Sequence, residues 1–282
     1  MNLAKAPAFL ALVVGLSAAA APVPATAQPA TIALASHRAV YDLKLAQSRG
    51  KRSMSAVQGR ILYDFTGSAC EGYALQFRQV SQLDSGEGKV LLSDLRATTW
   101  EDGTAKRLRF HSQNFLNDNI RDAVDGQAER IEKGIGVKLT KPEDKSLDFS
   151  AEVVFPTEHV RHIIAAARSG KTVYEAVVYD GSETGEKLYD TLAVIGKEIG
   201  PQERLPTDAA AGKAALNALP RWPVTISYFD KSKQTGEQTP VYAITFELYE
   251  NGVSRALLLD YGDFVVSGEM TQLELKDTKP CP

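Results

Sequence analysis

Apolar and polar residues alternate with a period of two along most of this chain, the pattern of strands that bury one face and wet the other. From Val241 to Tyr249, residues Tyr242, Ile244, Phe246 and Leu248 share one phase, while Thr245 and Glu247 take the other. Trp222, Val224, Ile226 and Tyr228 repeat the pattern, as do Tyr73, Leu75 and Phe77 with Gln76 and Arg78 opposite them. Read end to end, the alternation predicts about fourteen strands. They fall near residues 38–46, 54–66, 71–83, 88–100, 104–117, 119–130, 134–140, 148–153, 172–180, 188–199, 221–231, 240–250, 253–262 and 263–276. Asn251-Gly252 suits a two-residue type I′ hairpin, and Asp102-Gly103 and Asp180-Gly181 suit tight turns that need positive φ, so neighbours are expected to pair antiparallel. A sheet of that many strands does not stay flat and open; it curls, closes or splits into packed sheets. In the last strand Phe264, Val266 and Met270 share one phase but Leu273 and Leu275 take the other, which predicts a bulge or bend near Thr271.

Two segments break the alternation. After Phe155-Pro156, residues Val160, Ile163, Ile164 and Ala167 recur at helical spacing, with Pro156 near the start and Gly170 just past the end. This predicts an amphipathic helix from Thr157 to Ser169, able to plug or cap the curved sheet with its apolar stripe. Residues 200–220 are rich in Pro, Ala and Gly with a weak helical run from Ala209 to Leu219, and read as either a long surface connection or a linker between domains.

The first residues change the address of the chain. Lys5, an apolar run from about Phe9 to Ala21, and Ala25-Thr26-Ala27 fit a signal peptide over residues 1–27, cleaved before Gln28. The run is shorter than the roughly 20 residues that cross a bilayer, and no later run is long enough. No cysteine stands at the cleavage site to be acylated. The expected location is the periplasm, and the remainder, 28–282, is long enough for one large β-domain or two smaller ones. Net charge is -3 over 282 residues with both signs interspersed, which leaves no broad basic surface for nucleic acid. In an oxidising compartment the only two cysteines, Cys70 and Cys281, imply a single intramolecular disulfide, against the rival reading of free or intermolecular thiols.

Catalytic and metal-binding patterns are mostly missing. Glu158, His159 and His162 have the wrong order and spacing for a zinc-protease helix, and His159 and His162 read as solvated or locally hydrogen-bonded. His37, at the start of the first strand, reads as exposed or capped. Asp180, Ser182, Thr184 and Glu186 alternate oxygen ligands, but position 12 of a calcium loop would be Thr191, so a hairpin turn is the simpler account. No nucleophile elbow, phosphate loop or dinucleotide fingerprint occurs. These readings predict no catalytic residue, no metal ligand and no cofactor. Trp100, Phe110, Trp222, Tyr228, Tyr242 and Phe246 either line a cavity for an apolar ligand or, as is commoner, fill the core.

The segments HRAVYDLKLA (37–46), FTGSACEGY (65–73), LRATTWEDG (95–103), FPTEHV (155–160) and VYDGSETGEKLYDT (178–191), with Cys281-Pro282, span nearly the whole mature chain. In them the sequence resembles the EipB-like family of alphaproteobacterial periplasmic proteins. The resemblance implies a spiral-like open barrel of about fourteen antiparallel strands, a disulfide joining Cys70 to Cys281, and a role in cell-envelope integrity, with no enzymatic activity to carry over. The expected function is therefore non-enzymatic binding of a periplasmic protein or an apolar ligand; a lipid or lipoprotein carrier is the alternative, and an envelope hydrolase a third reading.

Overall fold

Strands form where the alternation places them, and the computed structural model describes residues 32–49, 54–86, 88, 90–201, 203–204, 206–208, 210, 214–232, 239–278 and 281. The expected signal peptide lies outside the described residues. The elements are β1 (His37–Ser48), β2 (Ala56–Ser68), β3 (Gly72–Asp84), β4 (Val90–Glu101), β5 (Arg107–Leu116), β6 (Asn119–Ile131), β7 (Gly134–Lys141), β8 (Lys145–Phe149), β9 (Val153–Val154), α1 (Pro156–Arg168), β10 (Val173–Val178), β11 (Tyr189–Ile195), α2 (Ala214–Asn217), β12 (Arg221–Asp230), β13 (Tyr242–Tyr249), β14 (Ser254–Asp260) and β15 (Phe264–Leu275).

All strands join one sheet in the order β8-β7-β6-β5-β4-β3-β2-β1-β15-β14-β13-β12-β11-β10-β9. Two meanders run outward from the central pair β1–β15, and every pairing is antiparallel except β9 with β10. The segment expected as one strand over 148–153 is two strands, and these are the opposite edges of the sheet. Ser150, Ala151 and Glu152 alone connect them, a reach of at most about 14 Å. A flat fifteen-strand sheet would hold its edges roughly 65 Å apart at about 4.8 Å per strand. The sheet therefore has to curl until its edges nearly meet. No β8–β9 ladder closes it among the described residues.

Side-chain packing holds the curl where hydrogen bonds do not. Tyr179, just past β10, packs on Phe149 of β8 and Phe110 of β5 at ring separations of 5.9 and 5.7 Å. Around them Leu108, Ile135 and Val137 form a buried cluster with Val153 and Phe155. A larger core fills the β1–β2 and β10–β15 side, where Tyr41, Ile61, Trp222, Leu248 and Met270 surround Ile163 and Ile164 of α1. Burial of each such side chain contributes about 1.5–3 kcal/mol.

Helix α1 lies across one end of the curl. Its first turn meets Glu101 at the end of β4, and Arg168 in its last turn pairs with Glu250, just past β13, at 2.9 Å. Gly170, at φ 73°, ends it, and the amide of Lys171 donates to the carbonyl of Ala166. The described residues within 200–220 are tied down: Leu216 of the short α2 is fully buried, and Asp208 forms a buried pair with Arg255 at 2.7 Å. Arg255 and Arg221 both reach Glu247, each at 2.6 Å.

Register reveals why the last strand changes phase. Val40 pairs with Gln272 and Tyr41 with Met270, which leaves Thr271 as the extra residue of a bulge. Two turns differ from expectation. At Asn251-Gly252 only Gly252 is left-handed, at φ 86°; its amide donates to Tyr249 while the Tyr249 amide donates to Val253, a type I turn with a glycine bulge. At Asp102-Gly103 the left-handed residue is Ala105, and Gly103 answers a different need, since a Cβ there would stand 1.9 Å from the carbonyl oxygen of Ala69.

Cys70, in the β2–β3 turn, is bonded to Cys281 with Cα atoms 5.7 Å apart and a sequence separation of 211. The tail passes from β15 across β1 to reach that turn, guided by the Lys276 amide on the Ser36 carbonyl and the Lys276 ammonium on Asp64. Closing so long a loop removes up to about 5 kcal/mol of denatured-state entropy. Cys70→Ser is expected to melt several degrees below oxidised wild type and together with dithiothreitol-reduced wild type; thermal denaturation followed by circular dichroism checks this.

Candidate ligand-binding cleft

The inner face of the curl is built by register. Leu75, Thr99 and Phe110 form one row across β3, β4 and β5; Phe77, Ala97, Ser112 and Val124 form the next; Gln79, Leu95, Asn114 and Asp122 the third. On the β1–β2 side the same face is covered by core. Over β3–β6 it is left half-exposed and lines a cleft of about 550 Å³ that extends from Pro156 to loop 180–184. That size lies within the range of small-molecule sites. Across the interior, Tyr189, Tyr228, Tyr242, Tyr261 and Phe264 form a continuous ladder with successive ring separations of 6.2, 6.0, 5.3 and 5.1 Å. Gln79 reaches over from β3 to donate to the Tyr261 hydroxyl at 3.2 Å.

Loop 179–188 is seated in the curl by its glycines. Gly181, at φ 69°, lies against the ring of Phe110, where a Cβ would come within 2.4 Å, and Gly185 lies against Leu139 and Val124. Asp180 accepts the Ser182 amide at 2.9 Å in an Asx turn, and burial pushes its carboxyl up. Lys145 takes Glu186 at 2.6 Å. The alternating oxygens of this segment thus face different partners. Among the described residues no group of three His, Cys, Asp or Glu side chains converges as a metal site.

At the junction of cleft and helix sits Glu101, 2% exposed. Its carboxyl oxygens accept the amides of Thr157 and Glu158 at 2.6 and 2.9 Å, capping α1 from a strand. Burial pushes its acid up to about 7 despite those two donors, with Glu158 adding repulsion. Glu158 accepts the Phe155 amide and pairs with Arg130 at 2.5 Å, and Arg130 also donates to the Val153 carbonyl.

Two histidines stand apart, and two, His159 and His162 of α1, share the ring of Tyr174 at 5.9 Å each. His37, expected to be exposed or capped, is buried with its ring stacked on Tyr63, and Nδ1 stands 2.8 Å from the Ala35 carbonyl. His159 is buried, and its Nε2 meets the Thr191 hydroxyl at 3.2 Å; burial pulls it down to about 4. His162 bonds the Tyr174 hydroxyl, and His111 bonds Asp125. Of the six aromatics flagged by sequence, Trp222 and Phe246 fill the core, and Phe110 lines the cleft. Tyr228 and Tyr242 belong to the ladder, whereas Trp100 lies beside Gly72 with Arg109 at 5.4 Å from its ring. Tyr189, Tyr261 and Phe264 escaped sequence reasoning because β11 supplies the first and the distant β14–β15 hairpin the other two.

The EipB-like family model matches residues 28–277. The chain belongs to the EipB-like family. Cell envelope integrity protein EipB of Brucella abortus is 36% identical over 254 residues, covering 90% of this chain and 89% of that protein. The crystal structure of a beta-barrel-like protein of a domain of unknown function from Brucella abortus superimposes with a TM-score of 0.79 at 35% identity, over 87% of this chain and 100% of that one. The mainly β architecture is thus shared with that solved structure.

Two outcomes follow from this geometry. Gly181→Val is expected to cost about 2 kcal/mol or more through left-handed strain and the Phe110 clash, read as a lower denaturation midpoint. Glu101, with its acid above the unfolded value near 4.5, adds stability that is full below that pH and is lost as pH rises through about 7. Buried His37 and His159, both pulled down, act oppositely below about 6.5. The melting-temperature difference between wild type and Glu101→Gln isolates the carboxyl, and it should shift against wild type between pH 5 and pH 8; parallel profiles would contradict the assignment.

Proposed function

We propose that this protein is an exported, non-catalytic component of the bacterial envelope that supports envelope integrity by holding an apolar ligand inside its curled sheet. One observation carries the reading: an inner wall bearing Leu75, Leu95, Ala97 and Thr99 is left partly open instead of being filled by core. Half-open apolar walls with a few polar groups are the usual make-up of sites for small hydrophobic molecules. The envelope role is supported by the name of the Brucella abortus relative, and periplasmic residence by the signal-peptide pattern. The non-catalytic reading is supported by the histidines: their hydrogen-bond partners are a carbonyl, a threonine, a tyrosine and an aspartate, at three places of which only the one beside Tyr174 holds two of them.

Native mass spectrometry of protein isolated from the periplasm tests this. A retained apolar species of lipid size is the expected result, and Leu95→Arg, which places a charge on the cleft wall, should lower its occupancy about tenfold or more. An empty protein that co-purifies a polypeptide would replace the ligand reading with a protein-binding one.

A further inference from the structure

The two ends of the curl differ. Helix α1, the disulfide and the β2–β3, β4–β5 and β13–β14 turns occupy one end. The other carries the β3–β4, β5–β6 and β14–β15 turns, and it is unusually apolar. Of the nine large apolar side chains that are exposed among the described residues, Val90, Leu91, Ile120, Val241 and Tyr261 stand there. Soluble antiparallel sheets keep one face polar. Here the tip of the β3–β6 blade is apolar on both: Val90, Leu92, Phe115 and Ile120 face outward, and Leu83, Leu91 and Leu116 face inward. Val90 and Ile120 are 54% and 58% exposed.

The tip is also cross-tied and advanced. Asn117 joins the two hairpins through its amide on the Leu92 carbonyl and its side-chain oxygen on the Leu92 amide, at 2.8 and 2.9 Å. Gln79 meets the aromatic ladder at Tyr261, and β3 and β4 continue beyond that contact to Asp84 and Val90. Behind the tip, Arg78 and Arg96 share the single carboxylate of Asp94, and Arg96 lies over the Phe115 ring at 4.7 Å. The Arg78–Asp94–Arg96 trio carries one net positive charge, and Asp84, Asp118 and Asp122 stand at the same end beside Arg121. Tyrosines at the rim add the amphipathic rings favoured at a membrane–water boundary.

We propose that this end docks on a phospholipid bilayer, with Val90, Leu91 and Ile120 entering the interface and Tyr261 at its rim. The inference rests on the ligand reading above in one respect: the inner wall continues from the cleft to this tip, so docking would place the cleft's open end at the lipid. A protein partner fits the tip less well, because a blade apolar on both faces demands a surrounding medium more than a flat surface.

Flotation of the purified protein with phosphatidylethanolamine–phosphatidylglycerol vesicles tests the proposal. Wild type should float, and Val90→Glu/Ile120→Glu should lower the bound fraction at least tenfold with an unchanged melting temperature. Val194→Glu, an exposed apolar site toward the helix end, should float like wild type. The milder Val90→Ser/Ile120→Ser guards against misfolding of the double-glutamate variant and should also bind less. Wild type that stays with the soluble fraction, or a tip variant that floats equally, overturns the proposal. So does a wild-type dimer, seen by light scattering, that the tip variant splits without any vesicle binding. Leu95→Arg separates the two readings, because loss of ligand in the cleft should leave flotation intact.

Discussion

Three residues govern this fold. Ser150, Ala151 and Glu152 carry the chain from one edge of a fifteen-strand sheet to the other, and covalent reach leaves the ribbon no choice but to curl. Once it curls, the pleat sorts every strand into an inward and an outward phase. The inner phase must then be covered by something other than a second sheet. Helix α1 and the loop after β10 supply that cover over part of the interior, the loop seating on Phe110, Val124 and Leu139, and the cleft is the wall around Leu95 and Ala97 that they leave half-exposed.

The edges meet through packing instead of a ladder, and this explains the density of polar fixtures near them. A hydrogen-bonded barrel needs few such fixtures because its register sets its girth. Here Glu101 holds the start of α1 to the end of β4, and Arg130 joins β6 to both Glu158 and the β9 backbone. On the opposite flank Arg221, Glu247, Arg255 and Asp208 bind the connection before β12 to the sheet. Buried charge of this kind contributes little net stability compared with apolar packing, yet removing one partner is costly. Such groups favour one arrangement of elements over its neighbours.

Much of the architecture was legible because period-two alternation is a local signal. Each strand announces itself within its own residues, and even the bulge at Thr271 showed as a change of phase between Met270 and Leu273. The split of 148–153 into two edge strands did not show, since Phe149 and Val153 fit a single alternating run and only long-range pairing separates them. The cleft was less legible still. Gln79 and Tyr261 lie 182 residues apart, and whether Leu95 faces core or open space depends on how far α1 extends across the curl. Gly103 was read as a turn former, and only the approach of Ala69 reveals why a side chain is barred there. Glu101 offered no signal at all, as a lone acid at a strand end looks solvated until a helix start arrives from 56 residues later.

The central pairing of β1 with β15 has a bearing on how the chain matures. The strand made first finds its second neighbour only when the strand made last has emerged, so during vectorial synthesis one side of β1 stays bare. Cys70 waits equally long as a free thiol. Covalent locking can therefore be only the closing act of assembly, and a nascent chain halted before β15 would expose an unpaired strand and a reactive sulfur.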